Sequence, residues 1–137
     1  MIVFGIVALA DFHRSAEGIV TDSATGLQWQ DEYGDHDGSI PRLKWIEAID
    51  YCEALTLGGY DDWRLPNIRE FDSLVEFSRS SPTIDPLFEH TELCGYWSST
   101  THADYLGGAW FIDFNSGIRY ADNKDSDLCV RCVRSGQ

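Results

Sequence analysis

The sequence predicts an α+β domain: two helices packed on a small, mainly antiparallel sheet, with a long loop region. Three observations carry this. Helical apolar spacing is confined to the middle of the chain, between Pro41 and about Phe77. Two-residue alternation, punctuated by Gly, Asn and Asp turn signals, occupies the flanks. Four cysteines are spread through 137 residues, enough to tie the flanks to the middle.

The elements follow in order. MIVFGIVALA at the start is almost wholly apolar, and Ala8-Leu9-Ala10 resembles a small-x-small cleavage site. It lacks the Lys or Arg of a signal n-region, and it is too short to span a bilayer. Residues 1–16 therefore read as an N-terminal extension or the remnant of an export signal, and a docked strand or helical turn is the competing reading. The domain proper is expected over 17–137. Ile19 and Val20 begin a strand, Asp22 to Gly26 turn, and Leu27 and Trp29 alternate as a second strand. The stretch DEYGDHDGS tempts an EF-hand assignment. In that register Tyr33 and Lys44 fall where the first and last carboxylates belong, so it is expected to be a solvated acidic loop.

Trp45, Ala48, Ile49, Cys52 and Leu55 form one helical stripe, with Glu47, Asp50 and Glu53 opposite. Gly58 and Gly59 are expected to stop this helix. Trp63-Arg64-Leu65 is extended, because the residue before Pro66 avoids helical angles. Asn67 and Glu70 make a capping box. A second helix is expected to run to about Phe77 with Ile68, Phe71, Leu74 and Val75 inward. SRSSPTIDPLF is a loop pinned by Ile84, Leu87 and Phe88. Strands follow at Tyr96–Thr100 and at Ala109–Phe114, where Trp110, Ile112 and Phe114 share a face. The turn Asn115-Ser116-Gly117 leads to a return strand at Ile118–Tyr120. ADNKDSD is an acidic loop, and Leu128–Val133 is the last strand.

Charge and cysteines narrow the role. With 10 basic and 23 acidic residues the net charge is −13, which repels phosphate backbones and excludes nucleic acid as a partner. Adhesion to anionic membranes or sulfated polymers would need a local basic patch or a bridging cation. Among the arginines only Arg131 and Arg134 come close together in the sequence, and no segment is long enough to be transmembrane. Cysteine usage points to an exported protein: extracellular, periplasmic or on the cell surface. Cys129-Val-Arg-Cys132 has zinc-site spacing, but Cys52 and Cys94 are isolated and supply no second close pair. Disulfides fit better. Side chains alternate across a strand, so Cys129 and Cys132 point to opposite faces, and Val130 shares the face of Cys132. Core-facing Cys52 is therefore paired with Cys132, which leaves Cys94 for Cys129.

The segments TGLQWQ, WIEAIDYCEAL, LGGYDDWRLPNIREFDSL, IDPLF, YWSST, AWFIDF and CVRCVR occur in this order. Together they resemble the Lcl C-terminal domain family, found at the C-terminus of bacterial collagen-like adhesins, over about residues 17–137. The resemblance implies a C-type-lectin-like fold, in which a first-helix cysteine bridges to the last strand. It implies that Trp63, Arg64, Leu65 and Pro66 are a scaffold motif joining the helices, with Arg64 ion-paired. The Glu-Pro-Asn, Gln-Pro-Asp and Trp-Asn-Asp tripeptides of calcium-dependent sugar-binding lectins are absent from the sequence, as are collagen-like Gly-x-y repeats.

Three functions compete. The first is a non-catalytic module that binds a carbohydrate or protein ligand through the strands and loops after Cys94. Tyr96, Trp97, Tyr105, Trp110 and Tyr120 offer aromatic faces. His102 is a further exposed candidate, and Asp122, Asn123, Asp125 and Asp127 offer hydrogen bonds or a perch for calcium, the one ion considered where no cofactor is otherwise expected. Core packing is the favoured reading for Trp97 and Trp110, and Tyr105, His102 and the Asp122–Asp127 loop are the better candidates for exposure. The second is an enzyme of the formylglycine-generating type, to which related folds belong. The histidines at 13, 36, 90 and 102 are scattered, and the abundant carboxylates make pairs such as Asp61–Asp62 unspecific. The third is a structural subunit of a surface or phage receptor-binding assembly. The binding module is the reading adopted.

Overall fold

The computed structural model describes residues 11–136. The apolar start of the predicted extension, residues 1–10, lies outside the described residues. The remainder is α+β, with two helices and two sheets. The first sheet is antiparallel and is ordered β1 (Phe12–Arg14), β2 (Ile19–Asp22), β3 (Gln28–Gln30), β9 (Val133–Arg134). The second is ordered β4 (Arg42–Leu43), β8 (Leu128–Cys129), β5 (Gly95–His102), β6 (Tyr105–Asp113), β7 (Ile118–Asn123). Its one parallel contact joins Tyr96 to Cys129.

Two expectations change here. The predicted last strand, Leu128–Val133, is two short strands in different sheets, with Val130, Arg131 and Cys132 between them. The chain crosses from one sheet to the other at this point, so the molecule has two sheets where one was expected. β1 also lies ahead of residue 17, yet it pairs with β2, and Phe12 is buried against Phe88.

The core lies in two clusters, and neighbouring residues are dealt alternately between them. Val20, Tyr96, Cys129 and Val133 belong to the cluster built around Trp29, Phe71 and Phe114. Ile19, Trp97, Val130 and Cys132 belong to the other, around α1 (Trp45–Ala54) and Trp63. Strands buried on both faces read as continuous apolar runs, which is what pairs such as Ile19-Val20 and Tyr96-Trp97 are.

α1 presents Ala48, Cys52 and Leu55 inward as predicted, and the Glu47 carboxylate accepts from the Lys44 backbone N–H at 3.0 Å. The helix ends before the glycine pair. Gly58 and Gly59 instead hold positive φ in the turn that closes the Leu57–Tyr60 bridge. α2 (Ile68–Asp72) opens with the predicted capping box, in which Glu70 N–H donates to Asn67 Oδ1 and Asn67 N–H to Glu70 Oε1, both at 2.9 Å. It is shorter than predicted and stops well before Phe77, which is exposed. Leu87, expected to pin the following loop, is also exposed, whereas Ile84 and Phe88 are buried.

Candidate functional site

The junction where the chain crosses between the sheets positions everything else. Both predicted disulfides form, Cys52–Cys132 and Cys94–Cys129, and no cysteine is free. WRLP sits beside them as scaffold. Trp63 and Leu65 are buried, the Arg64 backbone exchanges hydrogen bonds with Val133, and its guanidinium forms a two-pronged pair with Glu70 at 2.7 and 2.8 Å.

Sequence reasoning missed the main polar feature of this junction. Asp31, expected in a solvated loop, is wholly buried. Its carboxylate accepts from Arg131 Nη2 at 3.1 Å and from Arg14 Nη1, and also from the backbone N–H groups of Glu89 and His90 at 2.7 and 3.1 Å. Arg131 is also fully buried, with Phe88 and Tyr96 rings 4.7 and 5.4 Å from its guanidinium carbon. Tyr33 packs in the same cluster, donates to Val130 O at 3.0 Å, and is pushed well above the usual tyrosine range, chiefly by burial. The neighbouring Arg134 is likewise buried, held by Asp62 and stacked 3.7 Å over Tyr60. The two arginines nearest each other in the sequence are thus structural and form no basic surface patch.

The predicted ligand residues lie on or beside strands β5, β6 and β7, and the sheet divides them. Directly paired residues share a face. The pairs Gly108–Asn123, Trp110–Ala121 and Ile112–Arg119 place Trp110, Arg119 and Asn123 on one side. Ala109–Asp122 and Phe111–Tyr120 place Asp122 and Tyr120 on the other. On the Trp110 side, His102 stacks on the indole with centroids 4.8 Å apart, and the Arg119 guanidinium lies 6.0 Å from it. Arg119 also reaches Asp72 of α2 at 3.2 Å. Asn123 Nδ2 donates to the Tyr105 hydroxyl at 2.9 Å. The Tyr105 ring lies across two glycines: a Cβ added to Gly107 or Gly108 would meet it at 2.7 or 2.9 Å. Tyr105 is nonetheless 48% exposed, so its outer face is open. The Gly-Gly pair two residues after a tyrosine was the available sequence signal for this arrangement.

On the opposite side Tyr120 is 45% exposed and tilts against Phe111, while Asp122 accepts from Asn123 N–H and the Ser126 hydroxyl. Lys124 lies 4.0 Å over the Trp45 ring and donates to Thr101 Oγ1. Tyr96 and Trp97 are core residues and present no face to a ligand: both are fully buried, and the Trp97 indole N–H donates to Leu43 O at 2.9 Å, in line with the core packing favoured for Trp97. Asp125 and Asp127 are exposed. Asp122 and Asn123, predicted in a loop, are the last residues of β7. Among the described residues the one group of three ligand atoms close enough to share a metal ion is Glu92, Cys94 and Cys129, so Asp122, Asp125 and Asp127 do not converge. A cleft of about 140 Å³, lined by Ser15, Glu17, Ile19, Thr21, Gln28, Gly58 and Tyr60, is far below the roughly 300–1,000 Å³ of a drug-sized ligand site.

No described helix is long and apolar enough to cross a membrane, and the two bridges fit an oxidising, extracellular location. A family model described as Lcl C-terminal domain matches residues 18–134. No curated protein matches the chain.

Proposed function

We propose, from the premise that the chain belongs to the Lcl C-terminal domain family, that it is a non-catalytic binding module of C-type-lectin-like fold. It works outside the cytoplasm, in the periplasm or at the cell surface. Its ligand is a carbohydrate or an exposed protein surface. The observation that carries this reading is Tyr105: a ring backed by Gly107 and Gly108, tethered through its hydroxyl to Asn123, and open on its other face. A fixed aromatic plane loses little conformational entropy when a sugar ring or side chain stacks on it. His102, the strand partner of Tyr105, adds a polar side chain next to it. That all four cysteines are bridged supports a non-catalytic module over a thiol-dependent oxidase.

A glycan array probed with calcium and again with chelator tests the proposal. Binding that survives chelation and is lost in Tyr105→Ala supports the aromatic platform. Calcium-dependent binding moves the site to Asp122, Asp125 and Asp127, gathered around an ion when sugar hydroxyls complete its shell. No binding under either condition sinks the carbohydrate reading and leaves a protein ligand.

A further inference from the structure

The two disulfides differ in their surroundings. Cys52 and Cys132 are wholly buried, whereas Cys94 is only half-buried. Beside the more accessible bridge stands a carboxylate, with Glu92 Oε2 3.9 Å from Cys129 Sγ. The ligand atoms of Glu92, Cys94 and Cys129 all lie within 4.8 Å of one another. Around a tetrahedral zinc ion such atoms stand roughly 3.3–3.8 Å apart, given metal–ligand bonds of about 2.0–2.3 Å. Small side-chain rotations therefore separate this cluster from a metal shell once the sulfurs are no longer bonded to each other.

We propose that the Cys94–Cys129 bridge masks a zinc-class metal site that a dithiol reductant opens. The reductant supplies two electrons and two protons. The S–S bond breaks to give two thiols, and the reductant leaves as its own disulfide. Zinc then displaces both thiol protons and takes two thiolates, the Glu92 carboxylate and one water. Thiolate ligands favour zinc over calcium or magnesium, which prefer oxygen.

The positions of the ligands do not depend on the bridge. Cys129 is paired to Arg42 on β4 and to Tyr96 on β5, and Cys94 directly precedes the first residue of β5. Glu92 is held by Arg42 Nη2 at 3.0 Å, and its backbone N–H donates to the Tyr96 hydroxyl at 2.9 Å. The sheet thus keeps the two sulfurs and the carboxylate together after reduction, while buried Cys52–Cys132 keeps the remainder of the fold closed. Accessible bridges exchange first with external thiols.

The experiment reduces the native protein with a water-soluble phosphine, which does not compete for zinc as a dithiol would and is converted to its oxide as water supplies oxygen and protons. Alkylation with mass mapping counts and locates the thiols, and a chromophoric chelator measures zinc. The expected result is two thiols at Cys94 and Cys129, one zinc per reduced chain, and none on the oxidised chain. Glu92→Gln, at a partly exposed position, is expected to weaken zinc binding about tenfold or more, and the double variant C94A/C129A to abolish it. Simultaneous opening of both bridges, no zinc on the reduced chain, or unchanged affinity in Glu92→Gln would each overturn the proposal.

Discussion

Arg131 and Arg119 both lie near aromatic rings, and they do opposite work. Arg131 is sealed among Phe88, Tyr96 and Asp31 with no exposed surface, where an unpaired charge would be costly. Arg119 lies by Trp110 in solvent, where its pair with Asp72 contributes little to stability. Desolvation makes the difference. Charges at the junction specify how two sheets meet, and charges on the outer strands stay free to meet something else. The junction is also where the bridges, the Arg64–Glu70 pair and the split last strand converge, so changes there should cost stability. Changes on the outer strands should cost binding.

The contrast is sharpest at the junction itself. Replacing Cys52 and Cys132 by Ala opens a closure spanning 80 residues and is expected to cost about 4.5 kcal/mol on the chain-entropy account. Next comes Asp31→Ala, which strands Arg14 and Arg131 together and is expected to cost about 3–5 kcal/mol. Denaturant titration reads both. A loss below about 1 kcal/mol for Asp31→Ala would mean that water reaches the two arginines and that the junction is not sealed.

A smaller effect separates the half-exposed Arg64 from the sealed Arg131. Burial pushes the Glu70 carboxyl up, but the Arg64 hydrogen bonds, the Asn67 backbone N–H and the Arg64 charge outweigh it, and the group sits below its usual value of 4.5. A carboxylate with a depressed folded pKa contributes stability that is complete above its unfolded pKa and lost as pH falls through the folded one. Stability should therefore drop below about pH 4.5. The Arg64→Ala variant should lose roughly 1 kcal/mol at neutral pH, since the Arg64 side chain is 40% exposed, and show a shallower acid transition. Parallel acid transitions in the two proteins would remove the pair from the account.

What could be read from the sequence was local. The α1 stripe, the Asn67–Glu70 box and the extended WRLP segment each rest on residues within a few positions of one another, and each formed. The cysteine pairing came out correctly although the last strand is broken, because alternation persists through the crossing: Cys129 enters one core cluster, and Val130 and Cys132 the other. The buried ion group was invisible because Asp31 meets Arg14 and Arg131 at separations of 17 and 100 residues, and nothing in DEYGDHDGS distinguishes a sealed aspartate from a solvated one. The candidate ligand residues were identified as a set, and core packing, favoured for Trp97, is what the structure has, but sequence order did not reveal that β7 places Asn123 and Asp122 on opposite faces.

The smallest expected stability effect carries the most functional weight. Tyr105→Ala removes a ring that rests on Gly107 and Gly108 outside both core clusters, so it should change unfolding free energy by no more than about 0.5 kcal/mol. It should weaken ligand binding tenfold or more, as loss of a central aromatic anchor does. Truncation alone does not separate the ring's presence from its orientation, and Gly107→Ala does. The added Cβ would stand 2.7 Å from Tyr105 Cε1, and Gly107 does not hold a positive φ, so the backbone tolerates alanine while the ring must lift. If the platform works because it is held in place, Gly107→Ala weakens binding nearly as much as Tyr105→Ala at unchanged stability. If Gly107→Ala binds like the unaltered protein, the ring acts only as apolar area, and the contrast between a fixed junction and a pre-set outer face loses its second half.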